Sequence, residues 1–76
     1  MPNTNSQYDQ SVNIVRNAIP RMSELKIPIT PANYAVWYEY LSDSNQALRQ
    51  EMDVLLGREQ AISNSEMKEL YERYLK

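Results

Sequence analysis

The amino-acid sequence predicts an all-α fold, a small four-helix bundle with a kinked first helix and a short aromatic central helix. Three observations carry that prediction. Apolar residues recur at spacings of three and four in four separate stretches, the period of a helix with one buried face. The stretches are parted by Pro, by the single Gly, and by runs of Ser, Asn and Asp, which are turn chemistry. Strict alternation of β-branched residues is scarce, which argues against sheet, and one Gly in the whole chain argues against a glycine-rich phosphate loop. A chain of 76 residues allows one domain and buries only roughly 60% of its unfolded surface. With no Cys there is no disulfide to reinforce so small a core.

Residues 1–7 are polar and aperiodic and are expected to be a disordered lead-in to a single helical domain over 8–76. Ser6 is a candidate N-cap for the first helix. Val12, Val15, Ala18, Ile19, Met22 and Leu25 then recur at helical spacing. Pro20 interrupts this stripe, removing one backbone hydrogen bond and crowding the preceding turn. Because the apolar phase continues through Ile19, Met22 and Leu25, the pattern predicts one kinked helix rather than two.

Lys26 to Ile29 form a connector. Thr30 supplies an N-cap oxygen and Pro31 occupies the first helical position, where a missing N–H costs nothing. The helix from there to Leu41 holds the only Trp and three of the six Tyr in a chain without Phe. Tyr34, Trp37, Tyr38 and Leu41 share one face and Val36 and Tyr40 another, so the helix is apolar on most sides and must be surrounded. Ile29 is placed to pack back on Ala35 or its neighbours as a hydrophobic staple.

Ser42 to Asn45 read as a turn, with Ser44 or Asn45 capping a third helix whose stripe is Leu48, Met52, Leu55 and Leu56. Gly57 stands where a left-handed terminal residue is wanted. After a connector anchored by Ile62, Ser63 and Glu66 fit a capping box. The fourth helix has the cleanest period, Met67, Leu70, Tyr71, Tyr74 and Leu75, with Glu69/Arg73 and Glu72/Lys76 spaced for ion pairs. It carries no stop signal before Lys76, which points to a chain cut from a longer protein.

Eight Lys and Arg against ten Asp and Glu give a formal charge of −2 without blocks of one sign. No cationic cluster is available to exchange for phosphate counterions, so nucleic acid is not an expected partner. The N-terminus lacks a basic segment followed by an apolar run, and no apolar stretch approaches the ~20 residues that span a bilayer. The reading is a soluble, cytoplasmic chain with no membrane segment. With no His and no Cys, the commonest general base, the best nucleophile and the usual zinc ligands are missing, and no cofactor, metal or catalytic residue is expected. Glu39, alone on an apolar helix, is expected to face solvent or to meet Arg16 or Arg21. Asn33, Tyr34, Trp37, Tyr38 and Tyr40 are candidates for core or for a ligand pocket. Met67, Leu70, Tyr71 and Tyr74 are candidates for a homodimer seam, if they exceed what one chain can cover.

One pattern goes further. Ile27-Pro28-x-Thr30-Pro31, then Asn33-Tyr34-x-x-Trp37-Tyr38-x-Tyr40, then Asn45-x-Ala47-Leu48-Arg49, then Leu70-Tyr71-Glu72-Arg73-Tyr74-Leu75 resembles the N-terminal helical domain that precedes the GGDEF catalytic domain in many bacterial diguanylate cyclases. The likeness covers about residues 12–76. It implies a non-catalytic regulatory or dimerising module, with a linker and cyclase beyond the last helix of a longer chain, so that the full-length protein would be a diguanylate cyclase. The Gly-Gly-Asp/Glu-Glu-Phe signature, its metal-binding carboxylates and the R-x-x-D inhibition motif are all absent, so this chain alone is not expected to make cyclic di-GMP. Two other readings stay open, a small-molecule-sensing helical domain and a free-standing helical adaptor.

Overall fold

A computed structural model of the protein describes residues 6–76, and these form four helices. They are α1 (Ser6–Glu24), α2 (Pro31–Ser42), α3 (Gln46–Gly57) and α4 (Asn64–Tyr74). The lead-in expected over residues 1–7 falls mostly outside the described residues, and α1 is assigned from Ser6 onwards. Ser6 therefore stands inside the helix, and the cap position itself is outside the described residues.

The aromatic helix α2 is the hub, packing against α1, α3 and α4. Its start is the local chemistry of Thr30 and Pro31. Thr30 is extended (φ −87°, ψ 162°), its Oγ1 accepts from the Asn33 N–H at 3.2 Å, and Pro31 follows in the first turn. Val36 and Trp37 of α2 are fully buried, and around them close Ala18 and Met22 of α1, Leu48 and Met52 of α3, and Met67 and Leu70 of α4. Two connector residues complete this core, Ile27 at 3% exposure and Ile62 at 8%.

The first helix runs without interruption through Pro20. One helix was expected there and one is found. Its apolar stripe, however, divides into two rows. Ile14, Ala18 and Met22 point inward at 6%, 0% and 0% exposure, whereas Val15 is 41% exposed and Val12 and Ile19 are only half-buried. A rotation of roughly 100° per residue separates the rows, so a broad i, i+3, i+4 stripe can be covered on one edge and open on the other.

Helix ends show a second departure. Gly57 is the last residue of α3 without a positive φ, and the left-handed positions are taken by Lys26 (φ 59°) and Asp43 (φ 60°). Lys26 closes α1 with a Schellman motif. Its N–H reaches Ser23 O at 3.1 Å, the Ile27 N–H reaches Met22 O at 2.9 Å, and both Ile27 and Met22 are buried in the core. The apolar contact beyond the helix, rather than a glycine, sets this terminus. An L-residue is strained there, so Lys26→Gly is expected to stabilise the fold by about 0.5–1 kcal/mol and to raise Tm by about 4 °C in a thermal melt. Asp43→Gly should gain less, because Asp43 also accepts from Arg49.

Capping at α3 falls to Asn45, whose Oδ1 accepts from the Leu48 N–H at 3.0 Å. At α4 the expected capping box forms in full, with Ser63 Oγ accepting from Glu66 N–H at 3.1 Å and Glu66 Oε1 accepting from Ser63 N–H at 2.9 Å. Of the two ion pairs expected on α4, Glu69–Arg73 forms at 2.8 Å. Glu72–Lys76 is not among the ion pairs of the described residues. The helix ends at Tyr74, so Lys76 no longer holds the helical register that the pairing requires.

Candidate functional site

Of the five residues proposed as core or pocket, Trp37 is the centre of the core, at 0% exposure. Its ring meets Tyr40 edge to face, with centroids 5.6 Å apart and planes at 85°. The Arg21 guanidinium lies 5.5 Å from the indole centroid, a cation–π contact that fastens α1 to α2. Among the described residues, no atom accepts from the Trp37 indole N–H. Tyr40 turns its hydroxyl to α3 and donates to Asp53 Oδ1 at 2.8 Å. Burial first, and then that carboxylate, hold the Tyr40 hydroxyl above its ordinary pKa. Tyr34 and Tyr38 pair edge to face at 6.0 Å on a different side of α2. Asn33 is a strut, its Nδ2 donating to Pro28 O at 2.9 Å and fixing the connector against the first turn of α2.

Of these five, Trp37 is therefore core, and the contacts of the other four point to separate neighbours. An apolar groove lies between the open row of α1 and the entrance of α2. It measures about 410 Å³ and is lined by Val15, Ile19, Ile29, Thr30, Pro31 and Tyr34. Only Tyr34 of the expected set contributes. Ile29 and Tyr34 stand at N′ and N4 of α2, the two positions of a hydrophobic staple, yet Ile29 is still 48% exposed. The groove was not foreseen because Ile29 was assigned to covering α2. The signal was available in the excess of apolar positions on α1, which holds more of them than one face of a helix needs.

Of the residues considered for a homodimer seam, Met67 and Leu70 lie inside the bundle at 0% and 1% exposure, while Tyr71 and Tyr74 are half-buried against it. The last turn of α4 is locked to α3 by one carboxylate. Glu51 accepts from the Tyr74 hydroxyl at 2.6 Å and from Arg73 Nη1 at 2.8 Å, and Arg73 also reaches Glu69 at 2.8 Å. The Tyr74 hydrogen bond first, and Arg73 after it, hold the Glu51 carboxyl below its ordinary pKa. Among the described residues, Glu39 has no arginine partner. It accepts from Ser44 Oγ at 2.9 Å, closing the turn after α2, while Arg21 lies over Trp37.

A pairing with no sequence expectation is Arg58–Glu66, which staples the α3–α4 connector to the capping box. Arg58 Nη1 and Nη2 reach the two Glu66 oxygens at 2.9 and 3.0 Å, a bidentate fork. Arg58 and then the Ser63 N–H lower the Glu66 carboxyl to about 2, from an ordinary 4.5. A depressed carboxylate stabilises the fold above its ordinary pKa, and that contribution is lost as pH falls through the folded value. The urea midpoint is accordingly expected to hold from pH 7 to about 5 and to decline below pH 4.5 towards pH 2, with Arg58→Met giving a flatter acid limb. A decline centred above pH 5 would contradict this origin.

Among the described residues, no three His, Cys, Asp or Glu side chains are grouped to hold a metal ion. No helix is long and apolar enough to cross a membrane. Apolar surface is left open on α1.

No family model matches the chain, and no solved structure matches it significantly. Among curated proteins it is similar to the diguanylate cyclase VdcA of Vibrio cholerae serotype O1, 28% identical over 72 residues. The aligned segment is 95% of this chain and 21% of that protein, so the chain spans about a fifth of the relative it matches.

Proposed function

We propose that this domain is a non-catalytic regulatory and dimerising module of a diguanylate cyclase. The similarity to VdcA carries the reading, because it extends over 95% of the chain. The chemistry of the chain supports it, since a domain without His or Cys, whose Glu51 and Glu66 hold helices and connectors together, is suited to positioning.

A diguanylate cyclase condenses two GTP at the interface of two catalytic domains, each holding one substrate, so two such domains must face each other. In this reading a GGDEF domain follows α4 in a longer chain, and pairing of the upstream modules sets the facing geometry. The lock of Arg73 and Tyr74 onto Glu51 of α3 gives the final turn a fixed direction relative to the bundle, which is what a positioning element needs. The test is a chimera in which this chain replaces the aligned segment of VdcA. Cyclic di-GMP synthesis from GTP should be retained in the chimera and lost or deregulated when the segment is deleted. Equal activity with the segment present or deleted would refute the reading.

A further inference from the structure

We propose that the open row of α1, Tyr8, Val12, Val15 and Ile19, pairs antiparallel with the same row of a second copy of this chain. The inference deepens the dimerising reading above and rests on it for its role, while its own evidence is the geometry of α1.

The four residues follow spacings of four, three and four, the d-a-d-a pattern of a heptad seam. The row lies beside the core row of Ile14, Ala18 and Met22, and its own chain covers it only in part, with Tyr8 at 66% and Val15 at 41% exposure and Val12 and Ile19 half-buried. Its length favours this as well. A helix of 19 residues is roughly 28 Å long, against roughly 18 Å for the 12 residues of α2. The N-terminal half of α1 thus runs on beyond the helix it packs against.

Charge selects the partner and the direction. Asp9 and Arg16 stand beside this row, sharing a surface depression with Tyr8, Val12 and Asn13. They are one heptad apart, both exposed, and neither joins an ion pair among the described residues. Counting Val12 as position a puts both at position e. When the helix pairs antiparallel with its own copy, e faces e, and Asp9 of each chain meets Arg16 of the other, twice per dimer by symmetry. A parallel pairing would set them against position g, where Ser11 and Ala18 carry no charge.

The same register gives the exposed tyrosine a seat. With layers a and d opposed, Val12 faces Val15 of the second copy and Tyr8 faces Ile19. The ring of Tyr8 then enters the groove bounded by Ile19, Ile29, Pro31 and Tyr34, whose volume of about 410 Å³ admits an aromatic ring. One association covers the protruding tyrosine and fills the groove on both chains.

Sedimentation equilibrium on the 76-residue chain across a dilution series tests this. The apparent mass should climb from 8.9 kDa towards twice that value as concentration rises. Val15→Glu, at an exposed position where helix content by circular dichroism should persist, is expected to abolish the rise. Asp9→Arg or Arg16→Asp alone should weaken association about tenfold at low salt, through two lost pairs and two new repulsions. The double exchange D9R/R16D should restore it. A monomer at every concentration, or single exchanges that the double exchange does not rescue, would overturn the proposal. A dimer that survives Val15→Glu and is lost in Tyr71→Glu would also overturn it, while leaving the dimerising reading intact with its seam on α4.

Discussion

Trp37→Ala is expected to abolish cooperative unfolding at room temperature or to leave only a broad, low-temperature transition. The indole is fully buried on α2, which packs against the other three helices, and the Arg21 cation and the Tyr40 ring both rest against it. Truncating a buried Trp to Ala costs about 3–5 kcal/mol. A domain of this length holds only about 4–11 kcal/mol in total, at the usual stability per residue, so the loss is comparable with everything available. Thermal melts by far-ultraviolet circular dichroism supply the measurement, since the variant has no Trp fluorescence to follow. Trp37→Phe should be milder, because it keeps a ring beside Tyr40 and removes an indole N–H that has no acceptor among the described residues. A fall in Tm of only a few degrees for the alanine variant would mean that α2 is not the hub. The burial also bears on function, since Trp37 supports the fold from within and does not line the groove between α1 and α2.

Helix starts were legible in the sequence because capping is local chemistry. Thr30 with Pro31, and Ser63 with Glu66, satisfy backbone N–H groups within three residues, and nothing remote alters that. Helix ends were less legible. Gly57 is the residue best suited to a left-handed conformation and does not adopt one, whereas Lys26 does, because Ile27 beyond it is drawn into the core beside Met22. That decision is tertiary and leaves only a faint trace in composition. The candidate site divides along the same line. The apolar surplus of α1 is visible as spacing, but which row faces inward depends on what the other helices cover, and Ile14 wins over Val15 by position alone. Arg58 sat in a connector without periodicity, so its grip on Glu66 could be suspected only from the capping box that already needed that carboxylate.

Leu70→Ala is expected to cost about 2–5 kcal/mol, the range for deleting a buried leucine side chain, and to lower the urea midpoint accordingly. Leu70 is 1% exposed on the inner face of α4, within the cluster that includes Trp37 and Met67. Its side chain therefore offers almost no surface to a second chain, and the consequence separates stability from association. In the presence of enough folded protein, the dimerisation constant per folded chain should match that of the parent, because the row on α1 and the charges at Asp9 and Arg16 are untouched. Measuring both quantities on one variant, the urea midpoint and the sedimentation constant below the transition, tells the alternatives apart. Loss of stability with unchanged association assigns Leu70 to the core of one chain. Unchanged stability with lost association would place the inner face of α4 in a seam between chains, and the bundle would have to open there to pair.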